Sequence, residues 1–391
     1  MNRNVSPSIF SVGIDNPDAT LFEQQYILHH GMSYNSYLLI DNSIAIIDSV
    51  EKENGGRWIA HIEARLDGRT PDYLVVQHME PDHSASIALA MNRWPGLRIV
   101  ASPKAIGMLD QFFPGLDLSA RATAVAEGET LPLGPSHSLS FFNAPMVHWP
   151  EVIVSFDTIS QTLFSADAFG KFGALQHPDN WIDEARRYYI NIVGKYGPQV
   201  QALLKKIRPL PITTIAPLHG PLLTGSDITA AMNAYEAWST YTPETKGILI
   251  AYGSIYGGTR KAALDLADTL RRDPRTGEVV TMDLSLCDHA EAVAQAFRLP
   301  VMIVASPTYD ASIFPPVYNF LHHLTLKNYR NRTVGFIENG SWAPTAARQI
   351  RTLLESLPGI TFIDPVVKIK SRLNAESALQ LQALADVLLN L

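Results

Sequence analysis

A chain of 391 residues has the length for roughly two domains. Its 46% hydrophobic and 18% charged residues are those of a globular protein with a sizeable core, and a net charge of −7 with a pI near 5.9 weighs against nucleic acid as a partner. Cys287 is the only cysteine, which excludes a disulfide framework, a cysteine zinc site and an iron–sulfur cluster. A buried, inert thiol is its expected role. Residues 1–7 lack a signal-type apolar core. No apolar run approaches the roughly 20 residues of a membrane span, so a cytoplasmic protein is expected.

In chain order, residues 37–40 and 43–48 read as strands around a turn at Asp41 and Asn42. Residues 55–66 read as a helix, 73–77 as a buried strand, and 84–90 as a helix with Ser84 at its N-cap. Between these last two lie His78, Glu80, Asp82 and His83. Two imidazoles and two carboxylates within six residues are costly beside a core unless a cation neutralises them. A solvated loop is the alternative. Further along, strand-like runs end at or near His148, Asp167 and His219. In a sheet-based fold such strand ends converge on one edge, where ligands for a shared site collect. Asp48 reads as a strand-end carboxylate rather than as an outer support of that site. Residues 226–239 look helical and 241–246 break the pattern, so a first domain of 1–243 and a second of 244–391 are expected.

The second half restarts at 247–252 with a strand whose unalternating apolar character predicts a buried parallel sheet. Ser254, Ile255, Tyr256, Gly257, Gly258 and Thr259 then form a small-residue loop ahead of a helix from about Arg260. Such a turn lets backbone N–H groups wrap a phosphate at the helix N-terminus. Strands near 279–284, 301–305, 333–337 and 360–363 alternate with helices, the pattern of a flavodoxin-like doubly wound sheet. Two further loops follow apolar strands: Ser306, Pro307, Thr308, Tyr309 and Asp310, then Asn339, Gly340, Ser341 and Trp342. No GxGxxG fingerprint marks a dinucleotide site.

The run H-x-E-x-D-H from His78 to His83, with His148, Asp167 and His219 after it, resembles the ligand pattern of the metallo-β-lactamase fold. Glu80 stands where the zinc hydrolases carry a histidine, and that version is similar to the flavodiiron proteins, also called A-type flavoproteins. The resemblance implies an α/β chain: an N-terminal metallo-β-lactamase-like αββα sandwich, then a flavodoxin-like sheet binding FMN. It implies that His78, Glu80 and His148 bind one iron and that Asp82, His83 and His219 bind the other, with Asp167 bridging. It places His29, in the segment 29–35, and the tyrosines Tyr188 and Tyr189 near the diiron pocket. The loops 306–310 and 339–342 resemble the isoalloxazine-binding loops, with Tyr309 and Trp342 as stacking candidates. Imidazole and carboxylate donors without thiolate suit iron, whereas zinc in the same groups would not cycle electrons.

The activity so implied is reduction of dioxygen to water, of nitric oxide to nitrous oxide, or both. Electrons would pass through FMN to the non-haem diiron site from rubredoxin or another external donor. A head-to-tail homodimer or a dimer of dimers is implied, with no nucleic acid or membrane partner. Two other classes compete: a zinc-dependent hydrolase fused to a flavodoxin domain, and a redox sensor that leaves its iron chemistry unused.

Overall fold

The computed structural model describes residues 4–177 and 180–391. They fall into two compact units, Met1–Ser239 and Thr240–Leu391. Tyr241 belongs to the second: the Arg332 guanidinium donates to its carbonyl at 2.7 Å and the Asn328 amide to its hydroxyl at 3.1 Å.

The first unit is built on two six-stranded sheets. In the first sheet, Ile9–Ser11, Tyr37–Ile40 and Ile44–Ile47 run antiparallel, and Tyr73–Val76, Arg98–Ala101 and Ala122–Ala124 continue in parallel. The period-2 alternation of these strands sorts their side chains between two cores. Tyr37, Leu39, Ala45, Ile47, Val75 and Val100 cluster with Leu139, Phe141, Ile153 and Phe164 of the second sheet. Leu38, Ile44, Ile46, Leu74 and Val76 cluster instead with the helices Gly55–Leu66, Ile87–Arg93 and Pro103–Phe112. Trp58, Ile59, Ile62 and Leu66 supply the apolar stripe of the first of these helices. The second sheet pairs Thr130–Pro132, Ser138–Asn143, Ile153–Asp157, Thr162–Phe164, Thr214–Ala216 and Leu223–Thr224 in that order. The helix Ser226–Ser239 packs near its last strand. This is the αββα sandwich.

One local expectation is corrected. Ser84 is not an N-cap but ends a single helical turn, Pro81–Ser84, and its hydroxyl donates to the Met79 carbonyl at 2.7 Å. Pro81 fixes the backbone for a first helical position, so the turn begins inside the histidine-rich loop. The longer helix Ile87–Arg93 starts only after Ser86.

The second unit is a parallel sheet in the order Glu278–Asp283, Gly247–Tyr252, Val301–Tyr309, Thr333–Asn339, Thr361–Phe362, with Val367–Ile369 also paired to the fourth of these. By chain position that is 2-1-3-4-5, the flavodoxin-like winding, and it sets the switch point between the first and third strands. Val367–Ile369 escapes sequence reading because it is three residues long and its central Lys368 is exposed. Cys287 is half-buried rather than buried, and burial, with Asp288 and Asp283 nearby, pushes its thiol up to about 11. Among the described residues no helix is long and apolar enough to cross a membrane.

Candidate functional site

Four strand ends in the first unit deliver the candidate ligands. The loop after Tyr73–Val76 carries His78, Glu80, Asp82 and His83, and the ends of Ser138–Asn143, Thr162–Phe164 and Thr214–Ala216 lead to His148, Asp167 and His219. All seven come together in two groups: His78, Glu80, His148 and Asp167, and Asp82, His83 and His219. In the first group, His148 Nε2 lies 2.9 Å from Glu80 Oε2, and His78 Nε2 lies 3.2 Å from the same oxygen. In the second, Asp82 Oδ2 is 3.3 Å from both His83 Nε2 and His219 Nε2. Asp167 faces both. Its Oδ2 is 3.1 Å from His148 Nε2, and its Oδ1 is 3.1 Å from His83 Nε2.

These spacings suit metals. Adjacent donors at about 2.1 Å from one ion, at right angles, stand roughly 3 Å from each other. Among the described residues, both carboxylate oxygens of Asp82 and of Asp167 are buried without a hydrogen-bond partner, as is His148 Nε2. Such groups are costly to bury, and a bound cation satisfies them together. His83 Nε2 and His219 Nε2 are 3.0 Å apart, a spacing that a metal between them explains.

Outer contacts fix which ring nitrogen faces inward. His78 Nδ1 donates to Glu151 Oε1 at 2.8 Å, and His219 Nδ1 donates to the Ser33 carbonyl at 2.7 Å. With Nδ1 protonated, the neutral ring presents the Nε2 lone pair to the cluster. Glu151 also accepts the Met79 N–H at 2.9 Å, so one carboxylate orients both the ring and its loop. Asp48 is fully buried and accepts the N–H of Gln77 at 2.8 Å and of His78 at 3.3 Å. It therefore supports the ligand loop from the sheet edge rather than simply ending a strand. The segment 29–35 works through its last residues. The Asn35 amide donates to the carbonyls of Pro217 and Gly220 at 2.9 and 2.8 Å, and the Gly220 N–H donates to Ser33 Oγ at 2.7 Å, clamping the His219 loop.

Carboxylates and imidazoles shift one another's titration across the cluster. Burial pulls His148 down, but the carboxylates of Asp167 and Glu80 beside its Nε2 outweigh it and lift the ring to about 9. His78 is likewise raised, burial being overcome by Asp167, Glu151 and Glu80. Burial raises Asp167, yet His83, His78 and His148 hold it well below the usual carboxylate range.

The aromatic and histidine candidates divide. The Tyr188 ring lies 5.5 Å from His219, and its buried hydroxyl has no hydrogen-bond partner among the described residues. Burial and the charges of Asp167, Asp82 and Glu80 keep that phenol protonated. Tyr189, its neighbour on the helix Trp181–Ile192, faces Tyr235 and Trp238 instead. His29 is exposed and outside the cluster, its ring 6.4 Å from His30. The carboxyl that does approach is Glu23, unmarked in the sequence. Between Leu21–Phe22 and Tyr26–Ile27, both Glu23 and Gln24 take left-handed backbone; Glu23 as a whole is exposed, but crowding around its carboxyl and the charge of Glu80 lift it to about 7. Phe22, from the same hairpin, stands edge-on to His219 at 5.5 Å.

In the second unit a cavity of about 670 Å³ opens at the C-terminal ends of the parallel strands. Residues 254–259, Pro307, Thr308 and residues 339–342 line it, whereas Ser306, Tyr309 and Asp310 do not. Ser306 is fully buried with its hydroxyl on the Pro307 carbonyl at 2.9 Å, and the Tyr309 ring stands edge-on to Phe314 at 5.9 Å. Asp310 turns the chain with φ 49°. Trp342 is 84% exposed, free to lie over a planar ligand. Gly257 needs its positive φ of 86°, and a Cβ on Gly258 would stand 2.0 Å from the Ser371 carbonyl oxygen. Glycines are what allow this loop and the 370–373 segment to close a cradle at the start of the helix Gly258–Arg271. The lining residues Lys261, Ser371, Arg372 and Leu373 were not expected.

A sandwich holding a binuclear ligand set, followed by a flavodoxin-like sheet with a ligand-sized cavity, defines a class of metal- and flavin-dependent oxidoreductases. Residues 32–220 match the family described as ODP family beta lactamase. The rubredoxin-oxygen oxidoreductase of Megalodesulfovibrio gigas is 30% identical over 353 residues, 87% of this chain and 85% of that one. The anaerobic nitric oxide reductase flavorubredoxin of Aeromonas hydrophila is 28% identical over 84% of this chain, which spans 68% of that relative. The solved rubredoxin oxygen:oxidoreductase of Desulfovibrio gigas superposes with a TM-score of 0.92 at 25% identity, covering 100% of this chain and 98% of that one. The chain belongs to the flavodiiron proteins, oxidoreductases that carry FMN and a non-haem diiron site.

Proposed function

We propose that this protein reduces dioxygen to water, nitric oxide to nitrous oxide, or both, with electrons passed through FMN to a diiron site. The observation that carries the reading is Asp167, whose two oxygens each face a separate group of donors. In this reading His78, Glu80 and His148 hold one iron, Asp82, His83 and His219 hold the other, and Asp167 bridges them. The first unit, up to Ser239, forms the diiron domain, and the second, from Thr240, binds FMN through 254–259, Pro307, Thr308 and 339–342. When bound, the iron pair and FMN together supply the four electrons that one dioxygen needs. The chain's own part is to present Nε2 lone pairs through Glu151 and Ser33, and to keep the protonated Tyr188 phenol beside His219.

The donor is a rubredoxin or a protein like it, the location cytoplasmic, and the assembly a head-to-tail homodimer. The names of the relatives support the two gases and the rubredoxin. A zinc hydrolase is not favoured, because the carboxylate-rich donor set with Glu80 and the attached flavin cavity suit redox chemistry.

Metal analysis of protein made in iron-supplemented medium should give about two irons per chain. Asp167→Ala should lose both while FMN stays bound; full iron occupancy in that variant would remove the bridge. Turnover is to be measured with each gas separately, using reduced rubredoxin as donor. Consumption of neither would defeat the reductase reading.

A further inference from the structure

We propose that Arg372 is the cation that selects a phosphorylated flavin in the second unit, making the cavity prefer FMN to riboflavin. This rests on the FMN reading above and extends it to a residue outside the three expected loops.

Part of the backbone cradle is already engaged within the loop. Ser254 Oγ accepts the N–H of Gly257 at 3.1 Å and of Arg260 at 3.2 Å, so these donors at the helix start already have a partner. A phosphate carries about −1.5 to −2 charges at neutral pH and calls for a compensating cation. Two cationic side chains line the cavity, Lys261 and Arg372. Lys261 Nζ sits 2.6 Å from both carboxylate oxygens of Asp265, one turn along the helix, and is engaged there. Arg372 has no carboxylate within ion-pair distance among the described residues.

The position of Arg372 is imposed by its neighbours. The Ser371 N–H donates to Asn339 Oδ1 at 2.9 Å, and the Asn339 amide returns a hydrogen bond to the Ser371 carbonyl at 3.3 Å. The same amide lies 3.2 Å from Thr259 Oγ1, so one asparagine ties the 371 segment to the helix start. Ser371 takes left-handed backbone at φ 69°, and the Arg372 N–H closes the turn onto the Lys370 carbonyl at 2.9 Å. The Ser371 carbonyl presses against Gly258, the first residue of the helix, as the Cβ clash there shows. Arg372 therefore follows directly on the residue that touches the cradle, with an uncommitted guanidinium. Its planar fork can pair with two phosphate oxygens, which a lysine ammonium does only as a point charge.

The full-length chain stripped of flavin is titrated with FMN and, separately, with riboflavin, following the quenching of flavin fluorescence. Wild type should bind FMN more tightly than riboflavin. Arg372→Ala should weaken FMN about tenfold, the scale of one charge-assisted hydrogen bond, and leave riboflavin affinity unchanged. Arg372→Lys should recover part of the loss, and added salt should narrow the wild-type preference. Equal weakening of both flavins would make Arg372 a structural part of the loop and overturn the proposal, as would an unchanged FMN affinity in Arg372→Ala. A wild-type chain that binds neither flavin would instead bring down the FMN reading, and the proposal with it.

Discussion

Glu151 shows how a single residue without metal contact controls the site. Its oxygen takes the His78 Nδ1 proton and the Met79 N–H, fixing ring and loop at once. Loss of such an outer carboxylate commonly costs about 10–100-fold in metal affinity. Glu151→Ala should therefore release iron to a competing chelator at correspondingly lower chelator concentration, and unchanged competition would deny it the positioning role. At the other end of the Ser138–Asn143 strand, His137 joins Asp157 at 2.6 Å and Ser8 Oγ at 2.8 Å, tying the N-terminal edge of one sheet to the other. Burial raises the Asp157 carboxyl, but hydrogen bonds from His137, Ser160 and the Ser138 N–H outweigh it and hold it below the ordinary value. A carboxyl depressed in the folded state contributes stability that is fully present above its unfolded value, near 3.9, and is lost as pH falls through its folded value. Asp157→Asn should thus be less stable than wild type by about 2 kcal/mol at neutral pH. That gap should shrink below about pH 4, as read by urea denaturation across a pH series. A gap that stays constant into strong acid would mean that the charge of Asp157 is not what matters.

Among the elements, the helix Gly258–Arg271 illustrates how a start site is chosen by what stands in front of it. Gly257 reaches the left-handed region that closes the loop, and Gly258 leaves room for the Ser371 carbonyl. Adding a methyl at Gly258 would meet backbone, which cannot rotate away as a side chain can. Gly258→Ala should push the 370–373 segment outward, lower the stability of the unit by roughly 1–3 kcal/mol, and weaken FMN binding. The shift in thermal unfolding and the flavin affinity are the two readouts. If neither moves, the segment is not held against the helix. The hairpin Leu21–Ile27 makes the complementary point in the first unit. Two consecutive left-handed residues, Glu23 and Gln24, turn it so that Phe22 and Glu23 reach the cluster while His29, further on, does not.

At the scale of the whole molecule, electrons must pass from FMN to the irons. Each unit carries its own candidate site, and in the proposed head-to-tail dimer the flavin of one subunit would serve the irons of its partner. A two-fold axis makes two such junctions at once. One variant, His78→Ala with Glu80→Ala, removes iron ligands, and a second variant is disabled in flavin binding. Each alone should be inactive. Unfolded together and reassembled, they pair at random, half the dimers are mixed, and each mixed dimer has one working junction. Activity should then return to roughly a quarter of wild type. Transfer within one chain predicts no return, and mixed dimers that hold their cofactors yet stay inactive would refute the interchain route.

Much of this was written in the sequence because it is a property of residue type and local period. Apolar runs ending at His78, Asp167 and His219 announce strand ends, and imidazole with carboxylate announces a metal whatever the topology. The glycine and serine loop at 254–259 announces a cradle for the same local reason. Other features depended on tertiary structure. Glu151 meets His78 across 73 positions, and their meeting depends on how the Ser138–Asn143 and Ile153–Asp157 strands pair and bring their loops together. The sharing of Asp167 between two donor groups, the turning of Glu23 rather than His29 toward Glu80, and the placing of Arg372 beside Gly258 likewise depend on strand register and on single left-handed residues. A one-residue change of register sends a side chain to the opposite face of its sheet. The donors could therefore be named from the sequence, while their partners became visible only once the two sheets were closed.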